Sequence, residues 1–175
     1  NNLTELPVEI GQLTQLISLD LRENNLTKLP AEIGQLTQLT SLNLHGNNLK
    51  TLPAEIGQLT NLTHLDLGWN ELKRKSLPSS IGQLINLTSL NLNSNRLTSL
   101  PVKIRQLAKL TSLHLSSNNL RKLPSEIGQL TSLTELNLGG GNFFRRSNSW
   151  IKSPNLDRYF YTYTQSVSIT KNNLT

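Results

Sequence analysis

Leucine recurs along this chain at a fixed interval. In Leu16-Ile17-Ser18-Leu19-Asp20-Leu21-Arg22-Glu23-Asn24-Asn25-Leu26 the recurring positions read LxxLxLxxNxL, and the pattern returns at 39–49, 62–72, 87–97 and 110–120 before decaying from Leu133. Successive copies lie 23 residues apart, stretched once to 25. A constant period of this size marks a solenoid, whose units bury their apolar faces only by stacking on one another. Within each copy Leu-x-Leu alternates with period two, which predicts a short strand with leucines inward and polar residues outward. Every unit runs the same way, so the strands pair in parallel through right-handed crossovers. Six strands at ~4.8 Å spacing give a sheet roughly 25 Å wide.

One polar residue recurs among the leucines. Asn1, Asn24, Asn47, Asn70, Asn95 and Asn118 form a column in which a buried amide, donor and acceptor at once, can satisfy backbone groups where the chain leaves the strand. Between the strand motifs runs Leu29-Pro30-Ala31-Glu32-Ile33-Gly34-Gln35-Leu36-Thr37, echoed by Leu6-Pro7-Val8-Glu9-Ile10-Gly11-Gln12-Leu13-Thr14 and by later copies. Proline suits the first position of a helical turn, and glutamate just behind it is favoured by the helix dipole. The few following apolar residues and the glycine predict only one or two turns, α or 3-10, on the convex side.

The LPxEIGQLTxLxxLxLxxNxL consensus resembles the 23-residue class of leucine-rich repeats found in bacterial repeat proteins, in the repeat domains of Roco GTPases and in plant intracellular Ras-group-related proteins. The resemblance covers 1–142, about six repeats with the first incomplete, and implies an α/β solenoid: a right-handed horseshoe with a concave parallel sheet and short convex segments. It also implies a non-catalytic protein-interaction module that presents its concave face to a protein or peptide. A second reading makes the chain the scaffold or sensor segment of a larger enzyme, such as a Roco-type GTPase, with the catalytic domain elsewhere. A third is a structural, self-associating protein.

The net charge of +6 suggests nucleic acid until it is divided. Residues 1–142 carry 12 Lys+Arg and 10 Asp+Glu, while 143–175 carry 5 and 1. The repeats are nearly neutral, and backbone recognition needs a clustered phosphate-facing surface rather than a high pI, so nucleic acid is not the expected partner. Residues 143–175 hold seven of the eight aromatics. Their end, Val167 to Leu174, fits half a motif with Asn172 at the ladder position, so this basic tail reads as a degenerate repeat or as a C-terminal cap. Cysteine is absent, which rules out disulfides and thiolate sites. Secreted relatives often carry disulfide-bearing caps, so the expected compartment is the cytoplasm. No apolar run approaches the ~20 residues of a membrane span. Asn1 already stands at a ladder position, and the chain reads as a fragment.

Function is sought where the repeats differ. The outward columns are mostly small and polar, with Ser18, Ser41, Ser89 and Ser112 in one and Asp20, Asn43, Asn91, His114 and Asn137 in the next. His64, Asp66 and Trp69 stand out, Trp69 being the one aromatic before the tail, and Lys73-Arg74-Lys75 carries the two-residue insertion. The expected partner surface comprises Asp20, Arg22, Asn43, His45, His64, Asp66, Trp69, Lys73, Arg74, Asn91 and His114. The plainer expectation for Trp69 is that it packs across Gly46 and Ser94. Lys103, Arg105 and Lys109 read as a solvated convex face. His45 and His64 fall in neighbouring units, but without cysteine or clustered carboxylates no metal site is expected. No G-x-S-x-G elbow supports a serine nucleophile, and Gly139-Gly140-Gly141 lacks the Lys-Ser/Thr of a phosphate loop. The Asn-x-Thr sequons at Asn2, Asn25, Asn61, Asn86 and Asn173 are by-products of the consensus. No cofactor is expected.

Overall fold

The computed structural model describes residues 1–73 and 75–139, together with the backbone of three short strands beyond them. Each unit contributes one three-residue strand: β1 (Ser18–Asp20), β2 (Ser41–Asn43), β3 (His64–Asp66), β4 (Ser89–Asn91), β5 (Ser112–His114) and β6 (Glu135–Asn137). They pair in parallel with Leu19, Leu42, Leu65, Leu90, Leu113 and Leu136 in register. This is the sheet that the period-two leucines predict.

Each strand is preceded by a five-residue 3-10 turn, from η1 (Val8–Gln12) through η2 (Ala31–Gln35), η3 (Ala54–Gln58), η4 (Ser79–Gln83) and η5 (Val102–Gln106) to η6 (Ser125–Gln129). The sequence places proline at the first helical position; the structure places it one residue earlier, at the cap. Pro30 has an extended ψ of 153° and its carbonyl accepts from the Ile33 N–H at 3.2 Å, closing the i→i+3 ring that defines the turn. Glycine plays a different part from the predicted terminator. Gly34 is buried, and a methyl group added to it would lie 2.7 Å from the Glu55 carbonyl oxygen of the next turn. Bare backbone lets consecutive turns stack. Gly34→Ala is expected to cost about 1–3 kcal/mol through overpacking, visible as a lower melting temperature by circular dichroism.

The core lies between the sheet and the turns. Leu39, Leu42, Leu44 and Leu49, with Ile33 and Leu36, form one fully buried layer, repeated in the following units. The first layer is more open, with Leu13 and Ile17 exposed.

The tail adds β7 (Ile151–Lys152), β8 (Tyr159–Phe160) and β9 (Ser168–Ile169). β7 and β8 pair with each other, and β9 adds a seventh strand to the sheet, antiparallel to β6. Another repeat would run parallel to β6, whereas an antiparallel strand pairs the open edge without continuing the coil. Asn172, expected at a ladder position, lies outside the described residues.

Candidate functional site

The outward face of the sheet carries four columns. The first contains Ser18, Ser41, His64, Ser89, Ser112 and Glu135; the second contains Asp20, Asn43, Asp66, Asn91, His114 and Asn137. Beyond the strands, Arg22, His45, Gly68, Asn93, Ser116 and Gly139 form a third. The fourth contains Glu23, Gly46, Trp69, Ser94 and Ser117, all with φ between 52° and 65°.

The second column has a structural duty that its sequence does not announce. The Oδ1 atoms of Asp20, Asn43, Asp66, Asn91 and Asn137 each accept from the backbone N–H two residues on, at 2.8 to 3.1 Å. These Asx turns bend the chain out of the strand and into the left-handed fourth column. His114 cannot do this, and the Ser116 N–H goes instead to Asn93 Oδ1 at 2.7 Å. Where aspartate or asparagine stands, one side-chain oxygen is thus committed to the turn, leaving only the second side-chain heteroatom for a partner.

Side chains converge at Gly68. His45 Nδ1 approaches Asp66 Oδ1 at 3.5 Å, and a methyl group on Gly68 would lie 2.9 Å from His45 Nδ1 and 3.0 Å from Asn91 Nδ2. The missing side chain is what lets His45, Asp66 and Asn91 meet. His64 is not part of this group. It sits at the opposite end of β3, with its Nδ1 2.8 Å from the Thr63 hydroxyl. Arg22 turns to Asp20 at 3.3 Å.

Trp69 follows Gly68 and is 65% exposed. That exposure contradicts the expected packing across Gly46 and Ser94; the space over Gly46 is taken instead by the Glu23 carboxylate. A positive φ is uncommon for a bulky side chain. Lys73 lies on the flank beyond the ladder rather than on the sheet, and Arg74 lies outside the described residues.

A second cluster, absent from the sequence reading, joins Ser112, His114 and Glu135. The Ser112 hydroxyl donates to Glu135 Oε2 at 2.8 Å and lies 2.7 Å from His114 Nε2. With its one proton committed to the carboxylate, Ser112 accepts from an Nε2–H. A serine nucleophile needs the reverse, its proton passing to the imidazole and the carboxylate holding the other ring nitrogen. The arrangement is a hydrogen-bonded bridge between β5 and β6. Among the described residues no group of three or more His, Asp or Glu side chains is placed to hold a metal ion.

Of the six ladder asparagines, the five from Asn24 to Asn118 are buried, whereas Asn1, with no unit before it, is exposed. Asn70 Oδ1 accepts from the Leu49 N–H at 2.9 Å, and its amide donates to Leu44 O at 3.0 Å and to Leu67 O and Gly68 O at 3.1 Å. One side chain thus joins two units.

The solved structures similar to this chain share this architecture. A leucine-rich repeat protein of Leptospira interrogans is 42% identical, with a TM-score of 0.61, over 82% of this chain and 42% of its own. The ectodomain of the plant membrane receptor kinase GASSHO1/SCHENGEN3 from Arabidopsis thaliana, in complex with CASPARIAN STRIP INTEGRITY FACTOR 2, is 41% identical, with a TM-score of 0.71 over 78% of this chain and 17% of its own. The Arabidopsis receptor kinase HAESA, in complex with the peptide hormone IDA and a co-receptor, is 30% identical, with a TM-score of 0.67 over 78% and 24%. This chain thus spans less than half the length of each. No curated protein matches it. The family described as leucine-rich repeat region matches residues 1–75 and 67–152. On the ladder, the stacked strands and this match, the chain belongs to the leucine-rich repeat family.

Proposed function

We propose that this chain is a non-catalytic interaction module whose concave sheet binds a protein or peptide, with Trp69 as the anchor beside His45, Asp66 and Asn91. The observation that carries the proposal is Trp69 itself: an indole 65% exposed, in a left-handed backbone position, beside two glycines on an otherwise polar face. An exposed tryptophan in a backbone conformation that disfavours it contributes little to folding, and tryptophan is enriched among the residues that dominate binding energy. A rigid surface also loses little entropy on association. The complex of HAESA with the peptide hormone IDA, and that of the GASSHO1/SCHENGEN3 ectodomain with CASPARIAN STRIP INTEGRITY FACTOR 2, support the same use of the fold. The direction of the Ser112 hydrogen bonds supports the non-catalytic part. In the scaffold reading, where the array serves a larger enzyme such as a Roco-type GTPase, the sheet keeps this role.

The test separates an anchor from a packing residue. Trp69→Asn places a residue that tolerates positive φ at this site, and relief of about 1 kcal/mol is expected. Its melting temperature should rise, while affinity for a protein recovered by pull-down with the intact array should fall at least tenfold. A lower melting temperature, or unchanged affinity, would return Trp69 to a structural role.

A further inference from the structure

The near-neutral total of the repeats conceals a segregation of charge. Between the leucine after each ladder asparagine and the next Leu-Pro lie two residues, four in the third repeat, and apart from the buried Ser76 those described are exposed or half-buried. From the second unit on, these positions hold Lys28, Lys50, Lys73, Lys75, Arg121 and Lys122, all exposed, with no carboxylate among them. Of the ten acidic residues in 1–142, one, Glu5, stands in this row, at its extreme end. Among the described residues the six side chains have no ion pair or hydrogen bond, unlike Arg22, held by Asp20 at 3.3 Å, Arg96, held by Glu71 at 3.4 Å, and Lys109, which donates to Asn86 at 2.7 Å. Four of the six turns behind carry the opposite sign, in Glu9, Glu32, Glu55 and Glu126, while η4 carries no charge in its turn and η5 carries Lys103 and Arg105.

The row is also rigidly spaced. Backbone bonds from Asn25 to Leu3, Asn48 to Leu26, Glu71 to Leu49, Arg96 to Leu72 and Asn119 to Leu97, at 2.8 to 3.0 Å, tie successive units along this flank. In the third repeat Ser76 ties the two described ends of the insertion together. The Ser76 hydroxyl, buried, accepts from the Lys73 N–H and donates to Lys50 O, both at 2.6 Å. Lys73 and Lys75 are pushed out beside Lys50. The fourth repeat has Thr98 and Ser99 in place of cations, and there a groove opens, walled by Leu77, Pro78, Leu100 and Pro101.

We infer that this rim is a second interaction surface, separate from the sheet, which docks an extended acidic polypeptide segment with one apolar residue seated in the groove between Pro78 and Pro101. Unpaired cations in a row attract and orient an anionic chain. Four unit steps of ~4.8 Å span roughly 20 Å, the length of about six extended residues. The rim offers no aromatic platform for nucleic-acid bases. Its apolar element is a recess, not a protrusion, so it receives a side chain instead of entering a lipid surface.

The test uses the whole chain and a fluorescein-labelled peptide of four glutamates, one leucine and four glutamates. Binding is expected to weaken with salt and to fall about tenfold with Lys50→Glu plus Lys73→Glu, and equally with Lys28→Glu plus Lys122→Glu. Trp69→Asn should leave it unchanged, and glycine in place of the peptide's leucine should weaken it. No binding, or binding indifferent to these reversals, would overturn the rim as a site. Equal affinity for the glycine peptide would remove the groove from it. Tighter binding of phosphatidylserine vesicles or of an oligothymidylate would overturn the polypeptide assignment.

Discussion

Asn70→Leu is expected to unfold the array at markedly lower denaturant concentration, although the replacement is close to isosteric. It leaves the Leu49 N–H without its acceptor and removes the amide donor from Leu44 O, Leu67 O and Gly68 O, all in a buried setting. The stranded Leu49 N–H costs about 1–3 kcal/mol, and the lost amide bonds to the three carbonyls add about 0.5–1.5 kcal/mol each, since Leu44 O keeps the Asn47 amide, Leu67 O the Asn95 amide and Gly68 O the Gly46 N–H. Position sharpens the test. Asn24 makes its amide bonds only within its own unit, to Leu21 O and Arg22 O, so Asn24→Leu breaks fewer links between layers and should cost less. Equal midpoints for the two variants in urea, or no change for Asn70→Leu, would mean that the ladder does not hold the units together.

Leu65→Ala should cost about 2–5 kcal/mol, from lost burial and the cavity left between Leu42 and Leu90. Leu65 is 2% exposed in the middle of the stack. A solenoid transmits stability only between neighbours, so a central defect weakens both interfaces it touches and should broaden or split the unfolding transition. Ile17→Ala, at a side chain 63% exposed, is the internal control and should shift the midpoint little. A single sharp transition for Leu65→Ala at the parental midpoint would refute the layered account.

The leucines and the ladder are legible in the sequence because each repeats with the period of the fold, so one reading is checked several times over. What escapes is contact between units, which no single motif states. The Gly34 stack, the meeting of His45 with Asp66 across 21 positions, and the Ser112–His114–Glu135 bridge depend on which residue the next coil brings alongside. The Asx turns escape for another reason. Aspartate and asparagine at the end of a strand read as side chains that merely face water, and only the distance from Oδ1 to the N–H two residues on reveals the turn. Trp69 is legible as an exception but not as an exposed one, since its fate depends on a φ set by the Asx turn before it.

The Ser76 anchor bears on how such an array changes length. Two extra residues enter the third repeat, yet His64 still pairs with Ser89 and Leu65 with Leu90, so the lengthened coil stays in phase with its neighbours. A small hydroxyl closing on the Lys50 carbonyl and on the Lys73 N–H ties the two ends of the insertion to each other and to the neighbouring coil. Between Lys73 and Ser76 the chain therefore has a ready-made port, where a grafted epitope or a foreign loop could be received while the leucine layers remain in place.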